Sequence, residues 1–157
     1  MNICTSLYAV VLRLLGLHEI PGKEHHPFII WCFSLTTFPK PYSDEDSWCS
    51  ALLQGPCYLL GLPRSGSAAA RSWLLVGDPI DISSAEIGND VVILKRGPDP
   101  QPGPDVINAP GHVGIYAGQD AQYVKLLAGN QNNQVSIATF PKSSILGVRR
   151  LTAKGGS

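Results

Sequence analysis

Ser47-Trp48-Cys49-Ser50-Ala51-Leu52-Leu53 decides how the chain is read. An acidic stretch, Tyr42-Ser43-Asp44-Glu45-Asp46, precedes it, and an apolar run carries on from it to Leu62. The change of character predicts a helix over about residues 48–60, with Cys49 in its first turn. A thiol there meets the positive end of the helix dipole, which favours the thiolate. Taken alone, a cysteine is equally well explained as a small buried hydrophobe. Two later stretches change the weighing: Gly111-His112-Val113-Gly114-Ile115-Tyr116 and Leu127-Ala128-Gly129-Asn130-Gln131. Cysteine, then histidine, then asparagine is the order of a thiol-nucleophile triad.

Each member suits a step of amide cleavage. Histidine takes the thiol proton near neutral pH and later protonates the leaving amine. His112 follows a Pro110-Gly111 turn at the start of a predicted strand, so its ring is expected at a sheet edge. Asn130 ends the next strand, where its amide oxygen could accept from the ring and fix the tautomer. Backbone N–H groups at the start of the Cys49 helix would form an oxyanion hole. Gln131 is a second polar group at the same place, an alternative to Asn130 for the third role and also a candidate for substrate contact, as are Asp44 and Trp48. Against Asp44, a carboxylate close to the thiol opposes its ionisation. Against Trp48, a tryptophan at a helix start is as readily packing as a ligand platform.

The bulk composition bounds the rest. At 157 residues with 44% hydrophobic side chains, one catalytic domain over residues 1–153 is expected, followed by a disordered tail at 154–157. Lys+Arg and Asp+Glu each number 12, which gives no reason to expect nucleic acid or an anionic membrane as partner. The four cysteines (Cys4, Cys32, Cys49, Cys57) have neither CxxC nor zinc-finger spacing, so reduced thiols are expected and no metal or cofactor. A zinc site built from Cys32, Cys49, Cys57 and His112 is the reading this spacing argues against. The apolar residues 7–17 have no preceding Lys or Arg, are interrupted by Arg13, and are too short to span a bilayer; they read as an amphipathic helix capped by Thr5 or Ser6.

Helices are expected in the first half. Pro27 opens a short one, Gly55-Pro56 should kink or split the Cys49 helix, and residues 68–76 read as a helix closed by Gly77. Arg71, within the last, is a candidate partner for the acidic loop. Strands are expected in the second half, over residues 90–94, 112–117, 122–127, 134–140 and 145–150. Residues 97–110 carry five prolines and must be a long irregular loop. Helices first and antiparallel strands second make the fold class α+β, N-terminal helices packed on a C-terminal antiparallel β-sheet.

Four blocks also carry a resemblance. Trp48-Cys49-Ser50-Ala51, the stretch from Ser65-Gly66-Ser67 through Arg71-Ser72-Trp73-Leu74, Gly111-His112-Val113-Gly114-Ile115-Tyr116 and Leu127-Ala128-Gly129-Asn130-Gln131 resemble the CHAP/NlpC-type papain-like cysteine amidases and peptidases. The likeness is greatest to small phage and prophage cell-wall hydrolases (endolysins), and Glu19-Ile20-Pro21-Gly22 resembles their opening. The resemblance implies a papain-like fold acting on bacterial peptidoglycan without a cofactor. By position it makes Cys49 the nucleophile, His112 the base and Asn130 the orienting residue. The chain departs from many CHAP members in having Ala128 where they carry an acidic residue. The implied enzyme cleaves a stem-peptide or lactyl-amide bond as a monomer, without stable membrane insertion. It is made in the host cytoplasm without a signal peptide and acts in the periplasm or at the wall after release or export. The rival expectations are a non-catalytic wall-binding or structural phage protein that keeps the fold, and an exported antibacterial amidase effector.

Overall fold

Asp90-Val91-Val92-Ile93-Leu94 is β-branched and apolar on consecutive positions, the pattern of a strand buried on both faces. In the computed structural model, which describes residues 5–20, 25–40 and 47–153, it is the heart of the sheet. Six strands, β1 (Asp78–Ile80), β2 (Asp90–Lys95), β3 (Gly111–Gln119), β4 (Tyr123–Gln131), β5 (Gln134–Pro141) and β6 (Ile145–Arg150), form one antiparallel sheet in the order β1-β6-β2-β3-β4-β5. Val91, Ile93, Val113, Ile115 and Leu127 face the helices. Val92, Leu94, Tyr116, Val124 and Leu126 form a smaller core on the opposite face. The fold is the expected α+β arrangement, with helices α1 (Leu7–Leu12), α2 (Pro27–Ser34) and α3 (Cys49–Leu60) on one side of the sheet. Among the described residues no helix is long and apolar enough to cross a membrane. Cys4, the Pro21-Gly22 turn, the acidic loop with Asp44, Glu45 and Asp46, and the tail at 154–157 lie outside the described residues.

Several elements differ from expectation for local reasons. Helix α1 stops at Leu12 rather than near Leu17. Ser6 caps it, accepting from the Ala9 N–H at 3.1 Å. Its far end is drawn onto the sheet instead, where Gly16 and Leu17 bond the backbone of Val135 and His18 bridges Gln134. Helix α3 runs unbroken through Pro56. The proline has no N–H for the Leu52 carbonyl, and the Cys32 thiol sits 3.8 Å from that oxygen as a substitute donor. Gly55 lets α2 come this close, since a Cβ there would stand 2.6 Å from the Trp31 ring. Residues 70–75 wind as a 3-10 helix and not as an α-helix, and Gly77 follows with φ +73°. The short β1 has no hydrophobic alternation by which it could be recognised.

Helix α3 lies on β3 and β4. Trp48 makes the seat. It is wholly buried, its ring lies over Gly129 of β4, and its indole N–H donates to Glu19 Oε1 at 2.9 Å. The Ser65-Gly66-Ser67 loop is held on the other flank of α3. Ser50 Oγ donates to the Ser67 carbonyl at 2.7 Å and accepts from the Trp73 indole at 2.8 Å, and Gln54 bonds Ser65, Gly66 and Ser67. A Cβ on Gly129 would stand 2.4 Å from a Trp48 ring carbon. Gly129→Ala is therefore expected to lower stability by about 1–3 kcal/mol through overpacking, read as a fall in the urea unfolding midpoint at unchanged slope.

Candidate active site

Cys49 is the first residue of α3 and is 2% exposed. Trp48 occupies the N-cap without a side-chain capping bond, so no cap claims the first N–H groups of the helix. The thiol interacts with the His112 ring and with the backbone N–H of Val113. His112 Nε2 donates to Gln131 Oε1 at 2.9 Å, which leaves Nδ1 as the nitrogen for the thiol. The Gln131 amide is fixed in turn, its Nε2 donating to the Ser136 carbonyl at 2.8 Å. Phe140 lies against the imidazole at 5.3 Å between ring centroids. Sulfur, imidazole and carboxamide thus form one relay.

The third place goes to Gln131, and Asn130 does not touch the ring. The β3–β4 register pairs Ile115 with Leu127, and its simple continuation would set Asn130 opposite His112. Asn130 instead has φ +61°, and the β4–β5 ladder shifts between Ala128 and Gln131. This bulge turns Asn130 outward, where its Nδ2 donates to Ser47 Oγ at 3.2 Å, and swings Gln131 beneath the imidazole. Asn132 and Asn133, with φ +53° and +58°, then form the two-residue turn into β5. Gln131, expected to meet substrate, is 8% exposed and spends its amide on His112 and Ser136. Trp48, another expected substrate contact, is part of the core. Asp44 lies outside the described residues.

Sequence reasoning missed two residues. Arg71 is fully buried, and the acidic loop it was a candidate partner for lies outside the described residues. Its Nε donates to the Pro110 carbonyl at 2.9 Å and its Nη1 to the carbonyls of Pro102, Gly103 and Val106 at 2.8–3.1 Å. The guanidinium thus ties down the proline-rich loop that delivers His112. Five prolines without a regular hydrogen-bonding partner were the available signal that something must satisfy those carbonyls. The other is Arg96, just past β2, which donates to Ser47 Oγ at 3.3 Å.

Electrostatics distinguish Cys49 from the other described cysteines, all of which are free thiols. Burial pushes Cys32 and Cys57 up to about 12. Burial is also the largest influence on Cys49, but the hydrogen bond and charge of His112 oppose it, helped by the Val113 N–H and Arg96, and the thiol ends below its ordinary value. His112 is the mirror image. Burial lowers it, yet Cys49 and Gln131 stabilise the cation and bring it above the ordinary imidazole value. The arrangement favours a thiolate–imidazolium pair, which can attack a carbonyl carbon and protonate a leaving nitrogen. Among the described residues no group of three or more His, Cys, Asp or Glu side chains converges to hold a metal.

The fold is that of the NlpC1 protein of Trichomonas vaginalis, with a TM-score of 0.57 at 18% identity. The superposition covers 97% of this chain and 47% of that one, so the chain spans about half the length of its structural neighbour. No protein-family model and no curated protein sequence matches the chain. Fold and site together define an α+β chain of the NlpC-like, papain-like architecture with a cysteine, a histidine and a glutamine at its functional end.

Alkylation by iodoacetamide should report the pair. Because Cys49 is lowered and His112 raised, the pair forms below the ordinary thiol value of 9.0 and persists above the ordinary imidazole value of 6.5. Cys49 should therefore react at pH values where Cys32 and Cys57 are silent. In His112→Ala burial dominates, and the midpoint should move above 9.0. Gln131→Ala removes a hydrogen bond to the cation and should raise the midpoint, by less than His112→Ala does. Asn130→Gly keeps the left-handed backbone and should leave it in place.

Proposed function

We propose that the chain is a cysteine hydrolase that cleaves an amide bond of bacterial cell-wall peptide, as an endopeptidase or an N-acetylmuramoyl-L-alanine amidase. The observation that carries this reading is the relay of Cys49, His112 and Gln131 at the start of α3. Thiolate–imidazolium geometry serves acyl transfer, and a purely structural cysteine needs neither a histidine on the thiol nor an amide behind that histidine. The wall peptide as substrate is supported by the resemblance of four sequence blocks to phage and prophage wall hydrolases. It follows that the enzyme works in the wall compartment.

The steps are those of a thioester mechanism. The Cys49 thiolate attacks the carbonyl carbon, and the oxyanion is met by the Cys49 N–H and its neighbours in the first turn of α3. Protonated His112 gives its proton to the leaving nitrogen, the C–N bond breaks, and an acyl thioester remains on Cys49. Water then enters, His112 takes its proton, and the tetrahedral adduct collapses to free acid and thiol. Gln131 keeps the ring in one tautomer and orientation throughout. A glutamine adds no charge, so Cys49 remains the only anionic partner of the imidazolium within the relay.

Digestion of purified sacculi, with products read by mass spectrometry, tests the reading. Wild type should release new fragments whose masses name the bond. Cys49→Ala should release none while keeping its near-UV circular dichroism, and EDTA should leave the wild-type rate unchanged. Fragments released by Cys49→Ala, or intact sacculi of several wall chemotypes after wild-type treatment, would sink it.

A further inference from the structure

A cavity of about 500 Å³ opens beside His112. His112, Lys95, Arg96, Asn132, Gln134 and Phe140 are among the residues that line it, and Cys49 is not. Two cations and several amides face this space, and no Asp or Glu among the described residues does. Arg96 is exposed, and its one hydrogen bond is to Ser47 Oγ. No carboxylate among the described residues pairs with it. A guanidinium beside the reacting pair with an open fork of donors fits a carboxylate, which it can hold through two parallel bonds.

The groove has a second character on its other side. Beyond Ser47, the described residues that wall it are Thr37, Phe38, Pro39, Ala68 and Ala69, none of them charged. Ser47 borders this apolar part, and Arg96 borders both the cavity and the small hollow that joins the two. The leaving nitrogen must lie toward His112, because that ring protonates it. The part of the substrate that departs as amine therefore enters the cavity, and the acyl part runs along the apolar side.

We propose that the cavity beside His112 is the leaving-group subsite and that Arg96 selects substrates whose amine-side residue bears a free carboxylate. This rests on the amide hydrolase reading and adds a substrate feature to it.

Two synthetic peptides that differ only in a free or amidated carboxylate on the amine-side residue provide the test. Wild type should favour the free acid by about tenfold in KM. Arg96→Gln should bring the two KM values together, and Arg96→Lys should restore part of the difference, since it keeps the charge and loses the fork. The ratio between peptides cancels any influence of Arg96 on the Cys49 thiolate, which acts on both alike. Calorimetric titration of Cys49→Ala with the same pair gives a readout independent of chemistry. Tighter binding of the free acid, abolished by adding Arg96→Gln, supports the subsite even if wild type cleaves neither peptide; that result would count only against the hydrolase reading. Cleavage of both peptides with equal KM, or a preference unchanged in Arg96→Gln, overturns the subsite.

Discussion

The seat of Trp48 over Gly129 is the contact on which the site depends. A nucleophile helix can be packed on a sheet in many rotations, and each would aim its first residue differently. Here a wholly buried indole fixes both the rotation and the height of α3, because the ring lies where a Cβ of β4 would otherwise be and its N–H is held by Glu19. Burying so large a ring contributes on the order of 2–3 kcal/mol or more, and the geometry has little slack. Cys49 is the next residue along the chain. The thiol's position relative to the end of β3 is thus inherited from a packing contact, with Ser50 and Gln54 bracing the opposite flank.

His112 arrives by an independent route. Its strand follows a loop whose five prolines lack backbone donors, and the buried Arg71 guanidinium collects four of that loop's carbonyls. Gly111 is required at the junction, since a Cβ there would stand 2.9 Å from Arg71 Cγ. The two halves of the ion pair are therefore held by separate structural devices and meet in a desolvated place. Desolvation alone would neutralise both groups, as it does the thiols of Cys32 and Cys57. Their mutual attraction opposes that, holding the thiol below and the imidazole above their ordinary values.

The parts legible in sequence were those set by local chemistry. Hydrophobic patterning located five of the six strands and the α+β order, since burial on one or both faces leaves its mark on residue choice. The helix-start cysteine and strand-start histidine were visible for the same reason. The third member was not, because choosing between Asn130 and Gln131 depends on the phase of a bulge. One residue in the left-handed region reverses which neighbour faces inward, and asparagine is a residue that adopts that region readily. The run Asn130-Gln131-Asn132-Asn133 offers three such residues around one glutamine, a hint of turn geometry that alternation arguments pass over. Pro56 misled in the opposite sense: the penalty expected of it was real, but a thiol from another helix supplied the missing donor.

Net charge was a poor guide to the site. Equal numbers of acidic and basic residues argue against a polyanionic partner, yet say nothing about how the charges are placed. Arg150 is matched by a bidentate Asp90, with both bonds at 2.9 Å, at the far end of β2, and that pairing ties β6 to the sheet. Arg71 is spent on the loop. Arg96, at the other end of the same strand β2, bonds only a hydroxyl and faces the cleft. Among the described residues no carboxylate pairs with Arg96, which borders the cleft beside His112 in a chain of zero formal net charge. The charge of Arg96 acts on Cys49 as well, adding to the lowering of the thiol's proton affinity that His112 and the Val113 N–H produce.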